Sequence, residues 1–108
     1  MPRLRLRDLR PVAVRRRVAV QEPDGTKHED WAPTGHVVMA NVQPAGGRML
    51  AEMYGQRLAY MQTLFVPYGT DIRETDGLLL YASEKPDYQV VAVRPWTDHV
   101  IVDAEKVR

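Results

Sequence analysis

Cysteine is absent from the 108 residues. That excludes disulfide staples, a thiolate nucleophile and any cysteine-ligated metal, and it is compatible with a reducing compartment. Long apolar runs are absent too. Nothing approaches the roughly 20 residues that span a bilayer, and the first residues carry no apolar core of signal-peptide length. The expectation is a soluble protein, without a membrane partner, that does not take that export route. Serine occurs once, at Ser83, in a turn and without a nucleophile-elbow sequence around it. Gly46-Gly47 lacks the Gly-Lys-Ser/Thr ending of a phosphate loop. His28, His36 and His99 lie on separate segments without ligand spacing, and Asp71, Glu74 and Asp76 do not follow a calcium-loop pattern. The sequence therefore predicts no catalytic residue, no cofactor and no metal site, and a protein that is not an enzyme.

What the chain does carry is charge, unevenly spread. Of 15 Lys and Arg, seven are arginines within the first 17 residues: Arg3, Arg5, Arg7, Arg10, Arg15, Arg16 and Arg17, opposed there only by Asp8. Residues 18–108 then hold eight basic and 13 acidic side chains, a net of −5. A basic arm on an acidic body suits contact with DNA or with a neighbouring subunit. The plainer reading is an Arg-rich edge that resists edge-to-edge pairing. Aromatic residues are scattered through strands and turns and lie mostly away from the arginines. That arrangement suits packing better than a single-strand nucleic-acid platform.

The chain is long enough to fold alone, burying roughly two thirds of the surface that it exposes unfolded. Residues 1–11 read as an Arg-rich lead-in and 12–108 as one β-barrel domain. Val12, Val14, Val18 and Val20 share one face of a strand in which Arg16 breaks the pattern, so an end effect, a bulge or a subunit contact is expected there. Glu22 to Thr26 is a turn, and Lys27 to Gly35 reads as a loop or irregular edge. Val37 to Gln43 is a strand. Leu58 to Pro67, Leu78 to Ala82, Tyr88 to Val93 and His99 to Val107 are strands as well, the last three forming a meander. About six strands, several apolar on both faces, predict a mainly β, small closed barrel.

Between its two central strands the barrel carries an excursion over 44–57. Pro44 ends the first strand, and Gly46 and Gly47 allow positive φ. Met49, Leu50, Met53 and Tyr54 then recur at helical spacing, ahead of Gly55 as a C-terminal cap. A two-turn helix is marginal unless it packs, so the segment reads as mobile or partner-dependent. Met39, Met49, Met53 and Met61 surround it, as core filling or as a soft surface that repacks against neighbours.

In order and spacing this chain resembles the head-tail joining family of long-tailed bacteriophages, the head-completion or stopper proteins. The likeness covers roughly Trp31 to Val107. It is carried by Ala40-Asn41-Val42-Gln43-Pro44 and Ala45-Gly46-Gly47, the short helix-like insertion, the strand Leu58 to Pro67, the Asp71-Ile72-Arg73 connection and Tyr88 to Val93 before a final strand. The resemblance implies a structural virion protein, assembled in the host cytoplasm. It implies a dodecameric ring of copies at the head-tail interface, below the portal and its adaptor and above the tail terminator or tail tube, retaining packaged double-stranded DNA. It further implies that Pro44, Gly46, Gly47, Arg48, Met49, Glu52, Met53 and Tyr54 form a channel or gate segment. Two other classes remain: a nucleic-acid-binding barrel with an Arg-rich arm, and a small enzyme or ligand-binding barrel.

Overall fold

The computed structural model describes residues 8–107. Alternation of apolar side chains drives six strands into a ring. The chain runs β1 (Arg10–Arg15), β2 (Arg17–Gln21), β3 (Lys27–Trp31), β4 (His36–Pro44), α1 (Arg48–Tyr54), a 3-10 turn (Gly55–Tyr60), β5 (Met61–Pro67), β6 (Gly77–Leu79), β7 (Tyr88–Pro95) and β8 (His99–Lys106). Strands β1-β4-β5-β8-β7-β6 form a closed barrel, antiparallel throughout, with β6 pairing back to β1. Closure leaves the barrel no free edge.

Period-two patterning sends Val12 and Val14, Val38 and Ala40, Leu64 and Val66, Leu78, Val90, and Val100, Val102 and Ala104 into one core cluster. Burying each of the larger of these side chains stabilises the fold by roughly 1.5–3 kcal/mol. In β8 the outward residues His99, Ile101 and Asp103 are buried as well, because the excursion after β4 lies over part of that wall. The β6-β7-β8 meander expected from the sequence is present, with a register shift between Val90 and Ala92 in β7.

Four boundaries differ from the sequence reading, each for a local reason. The Val12 to Val20 strand divides at Arg16, where the chain leaves the barrel; β1 itself starts at Arg10, inside the segment read as lead-in. Lys27 to Trp31, read as a loop or irregular edge, is a regularly paired strand. Polar on both faces, it gives no alternation signal, and it forms by pairing with β2 from Arg17↔Trp31 to Gln21↔Lys27. Strand β5 opens at Met61 rather than Leu58, since Gly55 to Tyr60 continue the helical path. Strand β6 stops at Leu79 because the Asp87 carboxylate accepts the Leu80 and Tyr81 amides (2.8 and 3.0 Å) in place of a ladder partner.

The β2-β3 ribbon stands outside the barrel. The Cα radius of gyration, 14.8 Å, exceeds the ~13 Å of a compact chain of this length, and the extents are 52 × 30 × 23 Å. A lone two-stranded ribbon is marginal in water, so its base is anchored. Ala32 N–H donates to the Arg16 carbonyl (2.8 Å). Trp31 sits under the Arg17 guanidinium, 4.4 Å from its ring centroid, and packs against Gly77 beside Pro86.

Candidate functional site

The excursion after β4 is a strap across the outer barrel wall. Gly47, with φ 99°, caps the start of α1, and its carbonyl accepts the Ala51 N–H (3.0 Å). Gly55, with φ 57°, ends the helix as the sequence reading placed it. On the exposed side Arg48 and Glu52 form an i,i+4 pair at 3.4 Å. Helical spacing then gives two stripes. Leu50 is buried and Tyr54 half-buried against the barrel, whereas Met49 and Met53 are 58% and 54% exposed. Of the four methionines flagged in the sequence, only Met61 is core; Met39, Met49 and Met53 coat the surface.

Beneath α1, register aligns two rows on the outside of the wall: Gln43, Thr63, Asp103 and Ala92, and then Asn41, Phe65, Ile101 and Arg94. A groove of about 430 Å³ runs here, lined by Met49, Leu50, Thr63, Phe65, Arg94 and Ile101 among others. At its edge lies a polar latch. Asp103, only 1% exposed, accepts a hydrogen bond from the Tyr54 hydroxyl (2.8 Å) and an ion-pair hydrogen bond from Arg94 Nη2 (2.8 Å). Burial first, then the hydrogen bond to Asp103 and its negative charge, push the Tyr54 phenol up to about 12. Thr63 Oγ1 and Arg94 Nε are buried without a hydrogen bond in the described chain. One turn further on, Arg57 donates twice to Glu105 (2.9 and 2.8 Å). That hydrogen-bonded guanidinium holds the Glu105 carboxyl below its ordinary value.

The predicted gate residues thus fall on the end of β4, the turn after it and α1. Pro44 closes β4 opposite Gln62, Gly46 is exposed, Gly47 caps α1, and Arg48, Met49, Glu52 and Met53 face solvent while Tyr54 faces the barrel. The arginines do not gather into one patch. Arg10 donates to the Leu80 carbonyl (2.9 Å) and lies over Tyr81. Arg15 reaches the Ala32 carbonyl (3.5 Å). Arg17 meets Trp31 and Glu29. Arg16 joins the half-buried barrel end to the 71–76 connection by pairing with Asp71 (2.5 Å) and with the buried Asp76, and its hydrogen bond holds the Asp71 carboxyl below the usual range. Arg3, Arg5 and Arg7 lie outside the described residues.

Sequence reasoning missed Asp103, Arg94 and Thr63. The available signal was a single carboxylate inside the apolar run Val100-Ile101-Val102-Asp103-Ala104, where a buried charge demands a partner. The three histidines are dispersed: His28 beside Glu22, His36 on the Asp71 carbonyl, and His99 buried next to Asp98 and Phe65. Among the described residues no three His, Asp or Glu side chains are arranged to hold a metal ion, and no helix is long and apolar enough to cross a membrane.

Fold and site together define a small closed antiparallel β-barrel with an external helical strap and a projecting ribbon. No protein-family model matches the chain, and no curated protein matches its sequence. Among solved structures, the chain is similar to the solution structure of protein SF1141 from Shigella flexneri 2a, with a TM-score of 0.67 over 92% of this chain and 93% of that one. Identity is 16%, so the likeness is one of fold.

Proposed function

We propose that the chain is a head-to-tail connector subunit of a bacteriophage virion, a stopper or head-completion protein that assembles as a ring below the portal and its adaptor. The observation that carries the reading is the strap between β4 and β5. A seven-residue helix is too short to persist in water by itself, yet it is inserted between two strands of a closed barrel that does not need it for its ladders. Its hold on the wall is one apolar side chain, Leu50, with the Tyr54 and Arg57 contacts. Such an element changes place without unfolding its scaffold, as a channel gate must. The resemblance in strand order to the head-tail joining family adds to this support.

The alternative, a barrel that binds nucleic acid through its arginine arm, is weakened by the partners of Arg10, Arg15, Arg16 and Arg17 within the chain. The test is to mix the purified protein with tailless, DNA-filled capsids carrying portal rings and to sediment the mixture. Co-sedimentation with particles, without affinity for free oligonucleotides, is the expected result. Salt-dependent oligonucleotide binding by a protein that ignores the particles overturns the connector reading.

A further inference from the structure

Among the described residues two apolar surfaces have no partner, and they lie on different parts of the outer wall. The first is the outward stripe of α1, Met49 and Met53, exposed although helical spacing puts them side by side. The second is the outer wall of β1 and β4. There Pro11 pairs with Met39 and Ala13 with Val37, while their sequence neighbours Val12, Val14, Val38 and Ala40 fill the core. Val37 is 63% exposed and Met39 also stands out. Helix α1 does not cover this patch: it lies over Gln43 and Pro44 at the end of β4 and over Thr63, Phe65 and Ile101 of β5 and β8, whereas Val37 and Met39 lie toward the start of β4.

Charge matches as well. Arg15 follows Pro11 and Ala13 on the outer face of β1, spending one Nη1 on a long 3.5 Å bond to Ala32. Glu52 borders the methionine stripe, and its pair with Arg48 joins two exposed side chains, a weak and easily exchanged interaction. A sheet patch rimmed by a cation and a methionine stripe rimmed by an anion are complementary to each other and not to themselves.

We infer that the occupant of each surface is a second copy of this chain: the Met49-Met53 stripe of one subunit seats on the Pro11-Ala13-Val37-Met39 wall of the next, with Glu52 facing Arg15. Such a contact is heterologous, using a different patch on each partner, and repeated contacts of that kind build rings where the rotation closes and open filaments where it does not, rather than two-fold dimers. The inference deepens the connector reading and rests on it for the ring. Eight side chains make a contact smaller than the ~1,200–2,000 Å² of a stable interface, so the dilute protein is a monomer and association rises with concentration.

The natural absence of cysteine makes trapping clean. Met53→Cys and Val37→Cys proteins are mixed at high concentration and oxidised; a disulfide requires the two Cβ atoms to come within ~4.5 Å. The expected product is the mixed 53-37 disulfide dimer, with each single variant alone giving no disulfide-linked dimer and the double variant giving a disulfide-linked ladder of higher oligomers. Adding Glu52→Arg to the Met53→Cys protein abolishes the mixed product, and Arg15→Glu in its partner restores it. Predominant 53-53 or 37-37 dimers, or no more 53-37 product than a control pair with Glu84→Cys, overturns the inference. Sedimentation of the same variants with portal-bearing particles separates the two readings. Particle binding without the 53-37 link leaves the connector reading standing and removes this interface; the link without particle binding keeps the interface and removes the connector.

Discussion

Replacing Asp103 by Asn keeps the side chain's shape and removes its charge. The carboxylate is 1% exposed and holds both the Tyr54 hydroxyl and Arg94 Nη2 at 2.8 Å. An amide has one oxygen for two donors, and its nitrogen then confronts a hydroxyl or a guanidinium. Losing one partner of a fully buried pair costs ~3–5 kcal/mol. Arg94 keeps 26% of its side chain exposed, so water recovers part of that loss, and about 2–3 kcal/mol is expected. In urea the midpoint falls on the order of 2 M at an unchanged slope. Tyr54→Phe removes one hydrogen bond and leaves the Asp103-Arg94 pair intact, costing about 1 kcal/mol; its larger effect is local, faster amide exchange over residues 48–60. A loss under about 1 kcal/mol for Asp103→Asn, or equal losses for the two variants, would refute the latch as the strap's main polar anchor.

Gly35→Ala should prevent stable folding, because a Cβ there would stand 1.8 Å from the Val14 carbonyl oxygen, a backbone atom of a paired core strand that cannot retreat; circular dichroism melts of soluble protein read the loss. Arg16→Gln should destabilise by roughly 2–3 kcal/mol, since Asp76 is buried and, among the described residues, keeps only the Arg73 amide (2.8 Å) as a donor to its side chain, whereas a pure DNA-contact role predicts unchanged melting and weaker binding. Glu105 titrates below its ordinary value beside Arg57, so its contribution is present above pH ~4.3 and is lost as pH falls through the lowered native value; Arg57→Ala should flatten that acid limb of stability against pH. Tyr54 titrates higher when folded, so its contribution is complete below pH ~10 and disappears as pH rises toward 12. Ultraviolet titration of the five tyrosines should show a late component that Tyr54→Phe reduces, burial raising Tyr88 as well.

The barrel was legible because its signals are local. Valine alternation in β1 and β4, the Glu22 to Thr26 turn and the three-strand meander each declare themselves within a few residues, and the short helix was bounded by Pro44 and Gly55. The ribbon was not legible. Lys27 to Trp31 has no buried face to impose a period, and its strand exists only through its pairing with β2. The candidate site was half legible for a related reason. The strap's residues announce a helix, but its docking depends on Asp103 and Glu105, 49 and 48 residues away from their partners in the chain, and no spacing rule reaches that far.

The same accounting explains why the strap matters more than its size suggests. The barrel's ladders close without α1, so its departure costs only what binds it: Leu50, worth roughly 1.5–3 kcal/mol on burial, and the latch bonds. Groups on the wall beneath would then change solvent: Phe65, Ile101, Thr63 and the Asp103-Arg94 pair. An apolar wall with a buried ion pair is expensive to expose to water but suitable for another surface to cover. The equilibrium between docked and displaced strap is therefore set by whatever meets Met49, Met53 and that wall from outside. A partner that binds both conformations equally shifts nothing, and only one that replaces the Leu50 and Tyr54 contacts, or reinforces them, gains control of the segment.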